Sequence, residues 1–218
     1  VQAPPGGGGD EGSEESGWGP LQLWAKYIKL LDTAPLKTRI VTGGVISAAG
    51  DVMSQTLEGV KLSVLDLKRL IVFSMWGAIG FTPAGFKWYN LIERTVPKDI
   101  PVRWLAKMAM DQSIFPAFMT TVTFMSLTIL EGLVAGVGFT VDKGLFKTGE
   151  KIKGLGVLFS EGVEKVQKTL VPTLIENYKV WPAAQVLNFA VVPLKFQVLF
   201  VNCVAVWWNF VLSMTQHQ

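Results

Sequence analysis

The chain has 218 residues but only one histidine and one cysteine. The histidine, His217, is the penultimate residue, and the cysteine, Cys203, lies inside an apolar stretch. A histidine-based catalytic triad, a histidine metal site, an intramolecular disulfide and a cysteine metal cluster all need more of these side chains than the chain has. We therefore expect a protein that is not an enzyme, with no catalytic residue and no metal ligand.

Charged residues are also scarce, at 17% of the chain, while hydrophobic residues make up 50%. The mean hydropathy is +0.37, and 13 Phe and 8 Trp add to the apolar content. This composition is typical of a membrane protein. The net charge of +3 is spread along the chain rather than clustered, so the sequence gives no footprint for a nucleic-acid partner.

The apolar residues are concentrated in four stretches. Residues 1–19 form a Gly, Pro and acidic tail that we expect to be flexible, and residues 20–218 form a single membrane domain. The predicted fold class is all-α, an integral membrane bundle of four transmembrane helices with short amphipathic interfacial helices. The predicted spans are residues 38–57, 70–92, 102–130 and 181–208. An even number of spans places both termini on the same side of the membrane.

Two amphipathic segments are predicted to lie at the membrane surface. Residues 20–31 place their apolar side chains on one helical face with lysines opposite. The connection 131–180 is predicted to be a long loop whose second half forms another surface helix, because Val163, Val166 and Leu170 recur at helical spacing.

The last apolar stretch, 181–209, is longer than a bilayer core and contains polar residues. We expect it to be one helix that begins near Pro182 and is kinked at Pro193, where proline removes a backbone hydrogen bond. Gln185 and Asn188 precede the proline and are placed to bond the carbonyls that such a kink would free.

Small residues in the first span indicate close helix packing. Gly43 and Ser47, and likewise Gly44 and Ala48, have the spacing that lets two helix backbones approach closely. We expect this helix to pack tightly against a neighbour.

Polar residues at membrane depth are the candidate site. They should point into the bundle, because a charge in lipid costs several kcal/mol. One interpretation is a polar path for solutes; the other is interhelical pairing, in which the two Asp and two Lys neutralise one another. The residues are Asp51, Gln55, Lys87, Asp111, Gln112, Gln185, Asn188 and Lys195.

Prolines and aromatic residues complete the expected features of the bundle. Helix kinks are predicted at Pro83, Pro116 and Pro193. Aromatic anchors at the membrane interface are predicted at Trp24, Trp88, Tyr89, Trp181, Trp207 and Trp208. No cofactor is predicted; lipids are expected as ligands, and pigment ligation by an amide or carboxylate remains an open alternative.

Several ordered motifs resemble those of the Mpv/PMP family of small membrane proteins. They are GDVMSQ from Gly50, DLKR from Asp66, WYNLIER from Trp88, NYKVWPAAQVLNFAVVPL from Asn177 and WNFVLS from Trp208. The resemblance implies a four-span protein of an organelle membrane, without known catalysis, that is channel-like or maintains solute balance. The implied location is the mitochondrial inner membrane, with the peroxisomal membrane or a plastid thylakoid as alternatives.

The chain also departs from the family pattern. Phe86 and Gln197 stand where the family commonly has His and Arg, and residues 142–162 resemble an insertion. An alternative function is therefore an accessory subunit of a respiratory or photosynthetic membrane complex, docked through the tail and the 142–162 insert. The expected partners are the lipid bilayer and either other membrane subunits or further copies of the chain.

Overall fold

A computed structural model describes the backbone of residues 19–216 and the side chains of residues 19–207. Almost all of the predicted flexible tail, the side chain of Trp208 and the whole of His217 lie outside these described residues. The predictions for them therefore stay predictions.

Helices account for most of the described chain. The first half contains α1 (Pro20–Thr33), α2 (Pro35–Leu57), a 3₁₀ turn (Leu62–Val64), α3 (Leu67–Met75), a π-helical turn (Trp76–Phe81) and α4 (Thr82–Thr95). The second half contains α5 (Arg103–Leu133), β1 (Val137–Thr140), β2 (Gly144–Lys147), α6 (Leu155–Ala190) and α7 (Leu194–Gln216).

The chain is not all-α, because β1 and β2 form an antiparallel hairpin inside the predicted loop. Val137 lies opposite Lys147, and Thr140 lies opposite Gly144. Gly144 has a φ of +63°, a left-handed conformation that glycine adopts without steric cost. Thr140 also forms a bridge to Asp66, so the hairpin is attached to the start of α3.

The largest correction concerns α6, which is one helix of 36 residues and not a loop followed by a span. It runs through Pro172 and Pro182, so Pro182 does not begin a helix. Packing against α5 accounts for this continuity, because tertiary contacts override local helix propensity. A Cβ on Gly132 of α5 would lie only 2.1 Å from Leu158, which shows how closely the two helices approach.

Contacts along α5 and α6 show that they are antiparallel over their whole lengths. Leu158 lies beside Gly132, Gly162 lies beside Met125, and the Tyr178 hydroxyl donates to the backbone carbonyl of Gln112 at 2.7 Å. α6 therefore extends from one end of the bundle to the other.

α7 is parallel to α2. Arg39, near the start of α2, donates to the carbonyl of Lys195 near the start of α7, and Gly50 lies against Val206 further along both helices. α6 crosses the bundle in addition to the four predicted spans. The start of α1 and the end of α7 therefore lie at opposite ends of the bundle. This arrangement differs from the expectation of termini on one side.

Pro193 does not kink a continuous helix. α6 ends at Ala190, α7 begins at Leu194, and three residues separate them. The predicted span 181–208 is therefore two helices, joined at one end of the bundle. Proline cannot donate a backbone hydrogen bond, so a helix that meets it from the N-terminal side ends readily there.

Two helical segments of the described chain are long and apolar enough to cross a membrane. They are Leu67–Thr95, which comprises α3, the π-helical turn and α4, and Arg103–Leu133, which is α5. They correspond to the predicted spans 70–92 and 102–130. Leu194–Trp207 is apolar but shorter. The protein is thus a mostly helical chain with two to three apolar candidate spans.

The prediction that the small face of α2 packs tightly is confirmed. A Cβ on Gly43 would lie 2.0 Å from Oγ1 of Thr82, and a Cβ on Gly77 would lie 1.9 Å from Oγ of Ser47. Gly44 faces Ala78 in the same contact. α2 and the π-helical turn therefore touch almost backbone to backbone.

The other two predicted kink prolines lie within helices. Pro83 follows the π-helical turn, whose wider winding accommodates the missing backbone donor of the proline. Pro116 lies inside α5, which continues from Arg103 to Leu133.

The apolar core joins α4, α6 and α7. It contains Tyr89, Ile92, Val96, Phe189, Val198 and Val201. This core lies toward the end of the bundle where α6 passes into α7. Tyr89 of the core contacts one of the two polar clusters described next.

Candidate functional site

The predicted polar residues do not form one continuous set. Asp51 and Gln55 belong to a cluster between α2 and α3, while Asp111, Gln112, Gln185 and Asn188 belong to a second cluster between α4, α5 and α6. We refer to these as the α2–α3 cluster and the α5–α6 cluster.

The α2–α3 cluster is built around the carboxylate of Asp51. Arg69 Nε donates to Oδ1 of Asp51 at 2.8 Å, and Gln55 Nε2 donates to Oδ2 at 2.8 Å. The Gln55 side chain also bonds both backbone groups of Asp66, accepting from its N–H at 2.7 Å and donating to its carbonyl at 3.1 Å. The cluster therefore fixes the turn that leads from α2 into α3.

Arg69 is the cation that neutralises this cluster, and the sequence prediction missed it. Its guanidinium also forms an ion pair with Glu58 at 2.8 Å and donates to Ser54. Asp66 caps the start of α3 by accepting from the Arg69 backbone N–H at 3.1 Å. Arg69 belongs to the DLKR motif, which was the signal that could have identified it.

The α5–α6 cluster contains two separate sets of hydrogen bonds, one around the Asp111 carboxylate and one among neutral groups. Trp88 Nε1 donates to Oδ1 of Asp111 at 2.8 Å, and Gln112 Nε2 donates to Oδ2 at 2.8 Å. On α6, Asn188 donates to Oε1 of Gln185 at 2.8 Å, and Gln185 donates to the Tyr89 hydroxyl at 3.1 Å. The first set ties α4 to α5, and the second ties α6 to α4.

A cavity of about 140 Å³ adjoins the α5–α6 cluster. Its polar wall is formed by Asp111, Gln112, Thr120, Asn177 and Gln185. Its apolar wall includes four aromatic side chains, those of Phe81, Tyr89, Phe115 and Trp181. Among the side chains described for residues 19–207, no lysine or arginine forms an ion pair with Asp111.

Neither of the two predicted lysines points into the bundle to neutralise an aspartate there. Lys87 is exposed on the outer face of α4. Lys195 is partly exposed at the start of α7, and its ammonium lies 3.4 Å from Asp32 of α1. Long aliphatic stems let lysines place their charge at a surface, so a lysine within an apolar run need not face inward.

The backbone between α6 and α7 is satisfied by residues other than those expected. Gln197 Nε2 donates to the carbonyls of Asn188 and Val192, both at 3.3 Å, while Arg39 Nη2 donates to the carbonyl of Lys195 at 2.8 Å. Gln185 and Asn188 bond side chains instead. Gln197, which departs from the family pattern, therefore holds this break together.

A further ion cluster lies at the turn between α4 and α5. Glu93 forms ion pairs with Arg103, at 2.9 Å, and with Lys107. Arg103 also donates to the carbonyls of Glu93 and Val96. The sequence analysis did not select these residues; the WYNLIER motif contains Glu93 and was the available signal.

The predicted aromatic anchors divide into exposed and buried side chains. Trp24 and Trp207 are exposed, as an anchor requires. Tyr89 is 2% exposed and therefore belongs to the protein interior and not to the interface. Trp88 is half-buried, and its Nε1 donates to Asp111. Trp181 lines the cavity. Aromatic residues near the end of a span are thus not sufficient to identify anchors.

Residues 156–213 match the family model described as the Mpv17 / PMP22 family. The mitochondrial inner membrane protein Mpv17 of Bos taurus is 31% identical over 91% of this chain and 99% of its own length. Peroxisomal membrane protein 2 of Bos taurus is 28% identical over 91% and 93%, respectively. Protein sym1 of Aspergillus oryzae is 30% identical over 86% and 94%. No solved structure matches the chain significantly.

These relatives match between 86% and 91% of the chain. Two of the three are named for organelle membranes, the mitochondrial inner membrane and the peroxisomal membrane, and none of the three names refers to a plastid or to a respiratory or photosynthetic complex. Together with the apolar helical segments, this similarity shows that the chain belongs to the Mpv17/PMP22 family and is an organelle-membrane protein.

Proposed function

We propose that the protein is a non-enzymatic, channel-like protein that lets polar solutes cross an organelle membrane, with the mitochondrial inner membrane as its location. In this proposal α2, the α3–α4 segment, α5 and α7 are the four spans that contact lipid. α6 crosses beside them and presents a charged face to water. Similarity to the Mpv17 protein supports the location.

The observation that carries the proposal is an exposed ion pair at the depth of an apolar span. Lys168 and Glu164 of α6 lie 2.5 Å apart, and their side chains are 71% and 61% exposed. Both lie between Gly162 and Tyr178, which contact Met125 and Gln112 of α5. The pair is therefore level with residues 113–124 of α5, a segment without a charged residue.

Lipid is a poor environment for that face of α6. A charged side chain in the hydrocarbon region costs at least about 3 kcal/mol, so such residues face a water-filled cavity or another protein surface. Lys179 and Glu176 form a second exposed pair further along the helix, 2.6 Å apart. We propose that the face of α6 bearing these two pairs borders an aqueous path between copies of the chain.

A large polar cavity continues from this face toward one end of the bundle. It has a volume of about 860 Å³ and lies where α3, the end of α5 and the start of α6 meet. Glu161 and Lys165 of α6 line it together with Lys68, Arg69, Glu131 and Lys151. A cavity with both signs of charge suits hydrated small solutes of either sign, which supports a path of low selectivity.

The test is ion conductance of the purified chain in planar bilayers. The expected result is conductance above that of empty lipid, and a shift of cation-to-anion selectivity toward anions on Glu164→Lys. The matched control is Asp99→Lys, the same charge change in the exposed turn between α4 and α5, away from α6 and from the large cavity. The proposal fails if the wild-type chain does not conduct, or if Glu164→Lys and Asp99→Lys change selectivity equally.

A further inference from the structure

We propose that the cavity between α4, α5, α6 and α7 is a binding site for a small organic cation of the alkylammonium class. The site does not depend on solute permeation, because the argument rests on the chemistry of its walls. Three features of the described part of the chain carry it: a buried carboxylate without a cationic partner there, aromatic walls, and an amide oxygen that accepts no hydrogen bond there.

The carboxylate supplies the charge. Asp111 is 1% exposed, and among the side chains of residues 19–207 only the neutral groups of Trp88 and Gln112 donate hydrogen bonds to its two oxygens. Hydrogen bonds from neutral donors orient a carboxylate but leave its net charge uncompensated. Burial of an unpaired charge is costly, so a cation that enters the adjoining cavity gains the full attraction of Asp111 in a medium with little water.

The aromatic walls determine which kind of cation fits. The Phe115 ring lies 6.4 Å from the Phe81 ring and 6.3 Å from the Tyr89 ring, and Trp181 lines the same cavity. Ring faces attract ammonium groups, and clusters of such rings recognise alkylated ammonium ligands. A metal ion such as Ca²⁺ needs six to eight oxygen ligands, more than this mostly apolar wall provides.

Gln112 adds a polar contact that the protein itself leaves unused. Gln112 is 9% exposed, and its amide nitrogen donates to Asp111. Its Oε1 has no hydrogen-bond partner among the described residues. A buried acceptor without a donor is unfavourable, because it has lost its hydrogen bonds to water. A ligand that carries a hydroxyl or N–H group beside its cationic centre would supply this donor.

The cavity volume of about 140 Å³ limits the ligand to a few non-hydrogen atoms. Nucleotides and most cofactors need larger pockets, of roughly 300 Å³ or more. Choline has the required features: an alkylated ammonium head, a hydroxyl donor and a small size. It therefore serves as the probe, and 3,3-dimethylbutan-1-ol is its uncharged counterpart of the same shape.

The experiment measures binding of the two probes to the full chain in detergent by isothermal titration calorimetry. We expect choline to bind and its neutral counterpart to bind at least about tenfold more weakly, since a single cation–π or charge contact of 1.4 kcal/mol gives a factor of ten. Equal binding of the two probes, or no choline binding, would overturn the proposal. This comparison uses only the wild-type chain.

Two variants locate the site. Asp111→Asn keeps an acceptor for Trp88 and removes the charge, so choline affinity should fall at least about tenfold. Asp32→Asn removes an exposed carboxylate on α1 and should leave choline affinity unchanged. The proposal is contradicted if both variants lose affinity equally, or if Asp111→Asn leaves the choline affinity unchanged. It is also contradicted if sodium chloride displaces choline and a potassium salt of equal ionic strength does not.

Discussion

Arg69 of α3 donates from Nε to Oδ1 of Asp51 of α2 at 2.8 Å, and this bond joins two helices that run in opposite directions. The Asp51 side chain is almost fully buried, while Arg69 reaches toward the surface and Glu58. A buried carboxylate of this kind depends on its partner, because its charge has lost the stabilisation that water would give.

We predict that Arg69→Gln lowers the free energy of unfolding by about 3 kcal/mol. This value is at the lower end of the range for breaking a buried ion pair, because Arg69 is partly exposed and water screens its charge. Thermal unfolding in detergent measures it. The double variant Asp51→Leu, Arg69→Met removes both charges and should be less destabilised than the sum of its single variants. Additive losses would show that the two side chains do not depend on each other.

Gln197→Ala should destabilise the junction between α6 and α7. It leaves the carbonyls of Asn188 and Val192 without their side-chain donor, which costs about 1–3 kcal/mol for a buried acceptor. Gln167→Ala, at an exposed position of α6, is the control and should change stability by less than about 0.5 kcal/mol. Urea or thermal unfolding distinguishes them, and equal effects would contradict the role given to Gln197.

Glycine substitutions separate a packing requirement from a general helix effect. Gly77→Ala places a Cβ at 1.9 Å from Ser47 and should destabilise by about 1–3 kcal/mol, as overpacking does. Gly156→Ala is the control in α6, where a Cβ meets nothing within 4 Å; it should stabilise by up to about 1 kcal/mol through helix propensity. Destabilisation of both variants to the same extent would argue against a tight contact at Gly77.

Labelling of single cysteines tests whether α6 crosses the bundle. In a Cys203→Ala background, Asp142→Cys in the hairpin turn and Val191→Cys after α6 should react with a membrane-impermeant maleimide from opposite sides of sealed vesicles. Lys98→Cys, between α4 and α5, should react from the same side as Val191→Cys. If Asp142→Cys and Val191→Cys react from the same side, α6 does not cross the membrane, and a long surface loop between α5 and α7 is supported instead.

The sequence predicted the helices whose apolar content is high enough to identify them alone. The spans 70–92 and 102–130 match helical segments of suitable length and hydropathy, and the small residues of α2 predicted its close packing. These features depend on composition and short-range spacing. They need no knowledge of which helix lies beside which.

The errors concern features that tertiary contacts decide. α6 contains two prolines and many charged residues, and local sequence patterns therefore predicted a loop and a separate helix in this region. The long contact between α6 and α5 keeps α6 continuous. The expected pairing of aspartates with lysines failed because Arg69 lies across a turn from Asp51, a relationship that helix periodicity does not encode. Gln197 was noted only as a departure from the family pattern, although it bonds the carbonyls at the end of α6.

The π-helical turn at Trp76–Phe81 acts as a phase shift within a single long helix. One residue corresponds to about 100° of helical rotation. The extra residue in the π-helical turn therefore changes the direction in which the side chains of α4 point. Val72 before the turn and Tyr89 and Ile92 after it are all buried. Deletion of one residue from the turn would therefore rotate α4 as a unit and carry Tyr89 out of the cavity wall, with no residue of the cavity itself replaced.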